Sequence, residues 1–248
     1  MHIAVIGGTG RIGSQVVDIL TSRGHRAVPH ALSTGLDLLS GRGVTEGLRG
    51  ADVVVNVTSS PTFDDRAAAF FRTTMDNLLR TAVAEDVGHA VLLSIVGVDR
   101  VPELAYYRAK TMQEDILKSA PVPYSIVRST QFFEFIDTVL SWTSDERTVR
   151  LPATPIQPIA AADVARAVAD VSVGEPLRGT RDVAGPEVFT LDELGRIVLA
   201  AHHDTRTVVT DASAGMFAAV PGDALIPRPG AVIAPTHFRD WSARVPVR

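Results

Sequence analysis

The sequence predicts an α/β fold: a doubly wound parallel sheet with helices on both faces, completed by a smaller C-terminal part. Three observations predict it. The chain opens on an apolar run, Ile3–Ile6, that breaks into glycines and then into a helical apolar pattern. Short apolar runs alternate with longer helical patterns through the first half, the rhythm of a parallel sheet covered by helices. After about residue 130 that rhythm changes.

Each element has its own signal. Ile3–Ile6 is short and wholly apolar, as a buried parallel strand is. Ile12, Val16, Val17, Ile19 and Leu20 give the apolar face of a helix. Ala27–Leu32 reads as a second strand, Val44–Leu48 as a short helix and Asp52–Val57 as a third strand. Asp65–Glu85 is a long helical stretch, followed by a strand at Ala90–Ile95 and a helix over Pro102–Ser119. Pro121-Val122-Pro123 ends that helix before a strand at Tyr124–Val127, because proline lacks the N–H and pushes its predecessor out of helical conformations. A helix carrying Phe132, Phe133, Phe135 and Ile136 is expected next, then short strands at Val149–Leu151 and Gln157–Ile159. Ala161–Val171 reads as a helix. Thr190 with Glu193 three residues later is a capping-box pattern and opens another. Pro221–Pro235 is rich in proline and glycine and reads as irregular. Residues 1–130 are expected to form the core, and 131–248 a smaller substrate-covering part interleaved with it in one structural unit.

Composition narrows the function classes. The chain has 248 residues, 46% hydrophobic, with a formal net charge of -4. A large core is within reach, and the absence of a basic cluster argues against nucleic acid as a partner. There is no cysteine, which excludes disulfides, thiolate metal sites and cysteine nucleophiles. The seven histidines lack metal-ligand spacing; His202 and His203 are adjacent and point apart on a helix. They are read as surface or loop residues, and no metal is expected. No G-x-S-x-G nucleophile elbow occurs. No signal peptide and no uncharged stretch long enough to span a membrane is found, so a cytoplasmic protein without a membrane partner is expected.

The opening segment carries the chemistry. Gly7-Gly8-Thr9-Gly10-Arg11-Ile12-Gly13 lies between the first strand and the first helix. Strand, glycine turn and helix together form a dinucleotide-binding pattern of the Rossmann type. Gly7 and Gly10 let the backbone turn tightly and approach a pyrophosphate, and Gly13 lets the helix lie close to the strand. The free N–H groups and positive end of that helix favour a bound anion. Thr9, Arg11 and Ile12 are expected to contribute with them.

The spacing Gly7-x-x-Gly10-x-x-Gly13 resembles that of the extended and atypical short-chain dehydrogenase/reductases, among them the NmrA-like proteins. Further segments carry the resemblance in order: Tyr124-Ser-Ile-Val-Arg128-Ser-Thr130-Gln-Phe132-Phe133, Pro158-Ile-Ala-Ala-Ala-Asp163-Val-Ala, and Val183-Ala-Gly185-Pro186-Glu187. The resemblance implies that the arginine-containing segment turns beside the nicotinamide and substrate, with Thr130 and Phe132 at the cofactor. It implies that the Asp-Val-Ala helix and the Gly-Pro-Glu strand belong to the C-terminal part.

The cofactor choice is read at the end of the second strand, Ala27-Val28-Pro29-His30-Ala31-Leu32-Ser33-Thr34-Gly35. NAD sites usually carry Asp or Glu there to hold the ribose hydroxyls; this segment has neither. Ser33 and Thr34 hydroxyls, with the Gly35 N–H, are suited to a 2′-phosphate, and Arg11 and His30 are alternative positive partners. Many relatives place an arginine where Leu32 sits. NADP(H) is therefore the preferred cofactor, with NAD(H) possible. Asp37 and Leu38 fall where relatives hold the adenine edge, and Val57, Thr58 and Ser59, within the stretch Asn56–Ser60, are expected to line the pyrophosphate and ribose groove.

Tyr106-Tyr107-Arg108-Ala109-Lys110 is the second informative string. Tyr106 and Lys110 are i and i+4, on one helix face, and Ser94 ends the preceding strand. The set resembles the Ser, Tyr-x-x-x-Lys group of short-chain reductases. In that reading Lys110 lowers the phenol pKa and holds the nicotinamide ribose. Tyr106 gives a proton to the substrate oxygen, and Ser94 hydrogen-bonds that oxygen. Tyr107, three residues before Lys110, is the alternative facing tyrosine. Phe132 and Phe133 are expected to form an aromatic-tolerant substrate pocket, with Phe135, Phe63, Phe70 and Phe71 as further contributors.

These readings converge on an NADPH-dependent reductase of a quinone or ketone of an aromatic, polyketide-like small molecule, acting as a monomer or homodimer. A non-catalytic dinucleotide sensor that binds a partner protein is the alternative from another class; many NmrA-like proteins keep the lysine and lose the tyrosine. An epimerase or isomerase of the extended class is the other, disfavoured by the short C-terminal part.

Overall fold

Alternation along the strands decides how the layers assemble. In β1 (His2–Ile6), Ile3 and Val5 face one side of the sheet, while Ala4 and Ile6 face the other. Both sides are buried, so both need a helical layer. The computed structural model describes residues 1–244, so the last four residues of the C-terminal part lie outside the described residues.

The chain runs β1, α1 (Arg11–Ser22), β2 (Arg26–His30), α2 (Val44–Leu48), β3 (Val53–Asn56), α3 (Arg66–Ala84), β4 (His89–Ile95), α4 (Ala105–Ser119) and β5 (Tyr124–Ser129). It continues α5 (Ile136–Ser141), β6 (Thr148–Leu151), β7 (Pro155–Ile156), α6 (Ala161–Val173), β8 (Gly179–Ala184), β9 (Phe189–Thr190) and α7 (Leu191–Ala201). The last elements are β10 (Thr207–Thr210), β11 (Val232–Ile233) and α8 (Phe238–Ser242).

Seven strands form one parallel sheet in the order β11-β8-β5-β4-β3-β1-β2. The first connection goes from β1 outward to β2, and the next crosses back to β3 on the other side. The carboxyl ends of β1 and β3 therefore diverge at a topological switch point, where open sheets of this type hold ligands. Helices α1 and α6 cover one face, packing Ile12, Val16, Leu20, Val164 and Val168 onto it. Helices α2, α3 and α4 cover the other with Leu48, Met75, Leu78 and Leu117. A third apolar cluster, around Phe133, Ile136, Leu140, Leu151 and Leu194, lies under the C-terminal elements. Two-stranded pairs β10-β6 and β7-β9 complete that part.

Residues after 130 are not confined to the covering part: α6 packs against α1, and β8 and β11 extend the main sheet. Carboxylates tie these pieces together. Glu134 accepts the Ala161 N–H at the start of α6 at 3.0 Å and the Trp241 indole N–H at 3.2 Å. Glu187 accepts the Phe238 N–H at 2.8 Å. At α7, Glu193 accepts the N–H of Thr190 at 3.1 Å, the reach-back half of the expected capping box.

Four local expectations are corrected. The segment from Phe132 does not start as an α-helix: Phe132 is extended, Phe133–Phe135 is a single 3-10 turn, and α5 begins only at Ile136. The strand expected at Gln157–Ile159 lies at Pro155–Ile156, and Ile159 makes only a lone bridge to Phe132. Pro158 has no N–H to give a ladder, and the Gln157 amide is drawn to the Gly185 carbonyl at 2.8 Å. The strand assigned to the Gly-Pro-Glu segment ends at Ala184, before Gly185-Pro186-Glu187. The Pro- and Gly-rich stretch is not wholly irregular, since Val232–Ile233 pairs with β8.

Candidate functional site

The glycine turn is shaped by one positive φ and one close approach. Gly7 has φ +83, a region that L side chains rarely enter. A Cβ on Gly13 would stand 2.1 Å from the Gly7 carbonyl oxygen, so the first turn of α1 rests directly on the turn that leaves β1. Gly8 is also confined: a methyl group there would stand 2.6 Å from both the Pro29 Cα and the Val5 carbonyl oxygen. Its sequence signal is only that it neighbours the three spaced glycines, and Gly8 was not among the expected site residues. Gly10 differs. Its backbone is extended, at φ -82 and ψ 176, which any residue adopts. A Cβ there meets only the Gly7 carbonyl oxygen, at 3.3 Å. That contact is tight but needs the oxygen to give by only a few tenths of an ångström. The fold therefore demands glycine far less at Gly10 than at Gly13, whereas a ligand approaching the N-terminus of α1 would demand it.

A cleft of about 380 Å³ opens above this turn. Its lining brings together most of the residues expected from the sequence. Gly7, Gly10, Arg11, Ile12 and Gly13 form one end, and Val57, Thr58 and Ser59 follow from the end of β3. Ser94, Tyr106, Tyr107, Lys110, Thr130 and Phe132 form the other end. The Asn56 carboxamide fixes the β3 exit by accepting the N–H of Thr58 at 3.0 Å and its hydroxyl at 2.7 Å. Two buried polar atoms in the lining, Thr130 Oγ1 and Gln131 Oε1, have no hydrogen-bond partner among the described residues. Orphans of this kind call for a ligand or water. A larger groove, about 1020 Å³, runs over the outer surface of α3 and α4, and none of the glycine-turn residues lines it.

The expected catalytic set converges on the cleft, but its hydrogen bonds differ from the expectation. Ser94 donates its hydroxyl proton to Glu114 Oε1 at 2.7 Å, so it faces the cleft as an acceptor, not as a donor to a substrate oxygen. Glu114 is fully buried and is also held by Arg128, whose Nε and Nη2 donate at 2.8 and 2.7 Å. Burial works to raise the Glu114 pKa; hydrogen bonds from Arg128 and Ser94 outweigh it and hold the carboxyl below its ordinary value. Lys110 donates to the Leu93 carbonyl at 2.8 Å and to Gln113 Oε1 at 2.6 Å, not to either phenol. Its burial pulls the ammonium down to about 7, against the attraction of Glu114.

Tyr106 and Tyr107 both line the cleft. Burial pushes the Tyr106 phenol up to about 12, with a backbone hydrogen bond at Ser60 pulling the other way. The expected lowering by Lys110 is not seen, because desolvation dominates and no contact links the two. Tyr107 is more deeply buried, which raises its pKa further, and its oxygen accepts the Gln131 amide at 3.4 Å.

Eight expected residues stay outside the cleft lining: Thr9, Ser33, Thr34, Asp37, Leu38, Phe133, Phe70 and Phe71, the last two being packed in the apolar cluster behind it. Phe133 packs against Phe238 and Trp241, at 5.1 and 5.4 Å between ring centroids, as part of the core. The reason is the 3-10 turn, which sends Phe135 and not Phe133 toward the cleft. Thr34 spends its hydroxyl on Ala31, accepting its N–H at 2.8 Å and donating to its carbonyl at 3.0 Å, and the Gly35 N–H goes to Leu32. Neither is open to a phosphate in this loop. Burial lowers the His30 pKa, which disfavours the imidazolium a phosphate would need. Ser33 and Arg11 are exposed, and Arg11 forms no ion pair among the described residues. Asp37 closes its own turn on the Leu39 N–H and the Ser40 hydroxyl. Leu38 is buried against α3, where the Asn77 amide holds its carbonyl. The cleft also recruits Phe63, Phe135, Trp142, Met216 and Phe217. Of these, Trp142, Met216 and Phe217 carried no sequence signal.

A family model described as NAD(P)H-binding matches residues 7–173. No curated protein matches the sequence. Among solved structures, the chain is similar to an NADPH-dependent quinone oxidoreductase from Escherichia coli, complexed with NADPH. The identity is 17%, the TM-score 0.76, and the likeness covers 97% of this chain and 98% of that one. A dTDP-4-dehydrorhamnose reductase from Clostridium acetobutylicum is similar at 17% identity and TM-score 0.70, over 98% and 93% of the two chains. A UDP-N-acetylglucosamine 4-epimerase from Bacillus cereus is similar at 17% identity and TM-score 0.65, over 89% and 96%. At these identities the likeness establishes the shared fold. No helix among the described residues is long and apolar enough to cross a membrane.

The two glycines separate folding from binding. Gly13→Ala forces its methyl onto the Gly7 carbonyl, and overpacking of this kind costs about 1–3 kcal/mol. Gly10→Val should remain folded, with a smaller loss of stability than Gly13→Ala, but place its side chain where a pyrophosphate would approach. Urea denaturation with NADPH titration checks both; a folded Gly10→Val variant with unchanged NADPH affinity contradicts the site.

Proposed function

This chain belongs to the NAD(P)H-binding family, and from that premise we propose that it is an NADPH-dependent reductase of a quinone or ketone on an aromatic small molecule. The observation that carries the reading is the character of the cleft beyond the glycine turn. Its far end is lined by Phe63, Tyr106, Phe132, Phe135, Trp142 and Phe217, with no carboxylate and no arginine, and its one cation, Lys110, is bonded to Leu93 and Gln113. A nucleotide-linked sugar carries a diphosphate that needs cationic partners, and burying it without them is costly. The cleft suits an uncharged aromatic molecule instead, which favours the reductase over an epimerase of such sugars.

The residues present fit a dinucleotide. The N–H groups of Arg11, Ile12 and Gly13, in the first turn of α1, point to the space left open above Gly10 and would hold the pyrophosphate. Thr130 Oγ1 and Gln131 Oε1 would satisfy their orphaned capacity on the nicotinamide end. Arg11 and Ser33 are the groups left to meet a 2′-phosphate, in place of the Thr34 and Gly35 set. When bound, a reduced nicotinamide supplies the hydride.

What the chain supplies is a proton and an aromatic cleft. Tyr106 is a protonated phenol at neutral pH, and burial, by raising its pKa, keeps it so well into the alkaline range. It can give that proton to an alkoxide-like oxygen, which is more basic than tyrosinate. A hydroquinone oxygen is a stable enough anion not to demand it. Lys110 on the next turn is cationic below about pH 7; it is bonded to Leu93 and Gln113 rather than to the phenol, and would favour the tyrosinate left behind by turning from them toward Tyr106. Ser94, oriented as an acceptor by Glu114, can hold a hydroxyl in the cleft. The commitment of Lys110 to Leu93 and Gln113 also supports a second reading, a dinucleotide sensor without turnover.

Two outcomes test the proposal. A charge-assisted phosphate contact contributes roughly 1.5–3 kcal/mol, about ten- to a hundredfold in affinity. NADPH should therefore bind that much more tightly than NADH, and Arg11→Ala should remove most of the difference. Equal dissociation constants for the two cofactors in the wild type reject the 2′-phosphate contact.

Tyr106→Phe should slow ketone reduction by roughly 10²–10⁴-fold, with a quinone affected less. Because the lysine pKa is lowered to about 7, the ammonium is lost as pH rises through that value. Ketone turnover should fall over the same range, and Lys110→Met should abolish the inflection. A flat wild-type profile, or a Tyr106→Phe variant as fast as wild type on a ketone, contradicts the proton-transfer scheme. Tight NADPH binding with no acceptor reduced supports the sensor.

A further inference from the structure

Two aromatic side chains stand partly in solvent at the cleft: Phe63 is 48% exposed and Trp142 is 41% exposed. They come from separate segments. Phe63 belongs to the loop between β3 and α3, and Trp142 follows the end of α5. Their ring centroids lie 5.7 Å apart, edge to face. Phe135 supports both, at 6.3 Å from Phe63 and 5.5 Å from Trp142. On its inner side Phe63 reaches Tyr106 at 5.0 Å. The pair therefore forms a continuous aromatic wall from the solvent to the phenol expected to move a proton. Single exposed apolar side chains are ordinary; here the two rings are contiguous and lie at a cleft, which is the setting in which an exposed apolar patch marks a binding groove.

Charge points the same way. No carboxylate lines the cleft, and its two cations are both placed for other work. Arg11 stands at the first turn of α1, and Lys110 is bonded to Leu93 and Gln113. A charged group entering beside Phe63 and Trp142 would lose its hydration with no partner to replace it. Volume sets the size. The cleft of about 380 Å³ lies near the lower end of small-molecule sites, which run roughly 300–1,000 Å³, and it must also take the nicotinamide end of the cofactor.

We infer that Phe63 and Trp142 are specificity-determining residues that grip an uncharged, planar substrate of one or two fused rings and refuse its charged analogues. For turnover this rests on the reductase reading; for binding it does not. Offset-stacked and edge-to-face arrangements are the favourable ones for aromatic rings, and two rings on separate segments can settle on the two faces or edges of a flat ligand.

The chain has two tryptophans, which makes the inference measurable without turnover. Trp241 packs against Phe133 and Phe238, away from the cleft. A Trp241→Phe background leaves Trp142 as the reporter. In that background, with NADP⁺ bound, we would titrate menadione, a neutral two-ring quinone, and a naphthoquinone sulfonate, its anionic counterpart. Free tryptophan corrects for absorption by the quinones.

Menadione should quench Trp142 saturably, and the sulfonate should bind at least tenfold more weakly. Phe63→Ala, checked for its fold by circular dichroism and for retained NADP⁺ binding, should weaken menadione about tenfold, equivalent to about 1.4 kcal/mol. Equal affinity for the two quinones, no saturable quenching, or a folded Phe63→Ala variant that binds menadione like its parent overturns the inference. If binding follows the expected order but NADPH is never oxidised, the reductase reading fails and the grip stands.

Discussion

The contact on which the rest depends is the seat of α1 on the turn that leaves β1. At Gly13 there is no room even for a methyl group, since its position would lie 2.1 Å from the Gly7 carbonyl oxygen. That closeness brings the N-terminus of α1 to the switch point between β1 and β3, where the strand order reverses. It also fixes the face on which α1 meets α6, and through α6 it draws the C-terminal half of the chain back onto the sheet. Glu134, bonded to the start of α6 and to Trp241, then carries the constraint outward to the last helix. A looser seat would move the anion-binding N–H groups, the cleft floor and the covering elements together.

On the opposite face a buried charge cluster fixes the chemistry-bearing helix. Glu114 is on α4, one turn beyond Lys110, and it gathers Ser94 from β4, Arg128 from β5 and Lys118 from its own helix. Breaking a buried pair by removing one partner costs about 3–5 kcal/mol, because it leaves an unpaired charge. The cluster therefore holds α4 in register with the strand ends. It also determines that Ser94 presents an acceptor to the cleft, which alters the hydrogen-bond logic expected from its place in the sequence.

Strands β1, β3, β4 and β5 were legible because they are largely buried and read as apolar runs bounded by breaks; β2, an edge strand with no fully buried residue, was legible only from its place after the first helix. Strand β8 was not, because Gly179-Thr-Arg-Asp182 is polar on the part that lies beyond the helical layers. The glycine turn was legible in detail, since steric demand at Gly7 and Gly13 leaves few other residues possible there. The polar site was legible in place but not in bonding. The i,i+4 pair Tyr106/Lys110 does share the cleft, yet spacing cannot tell that Leu93, Gln113 and Glu114 compete for the lysine and the serine. A single 3-10 turn separated the expected Phe133 from the observed Phe135. Trp142, Met216 and Phe217 come from non-periodic segments, where no face can be read from spacing.

The central claim is that this cleft passes a hydride from a bound nicotinamide to an aromatic carbonyl or quinone. The most direct test is single-turnover reaction with NADPH deuterated at the transferring carbon, the pro-R and pro-S forms run in parallel, using menadione and an aryl ketone as acceptors. With one of the two forms, oxidised cofactor without the label should appear in step with reduced acceptor, and deuterium should be found on carbon in the alcohol formed from the ketone. NADPH that binds tightly but is oxidised by no acceptor, with neither form passing its label to the ketone carbon, would contradict the claim.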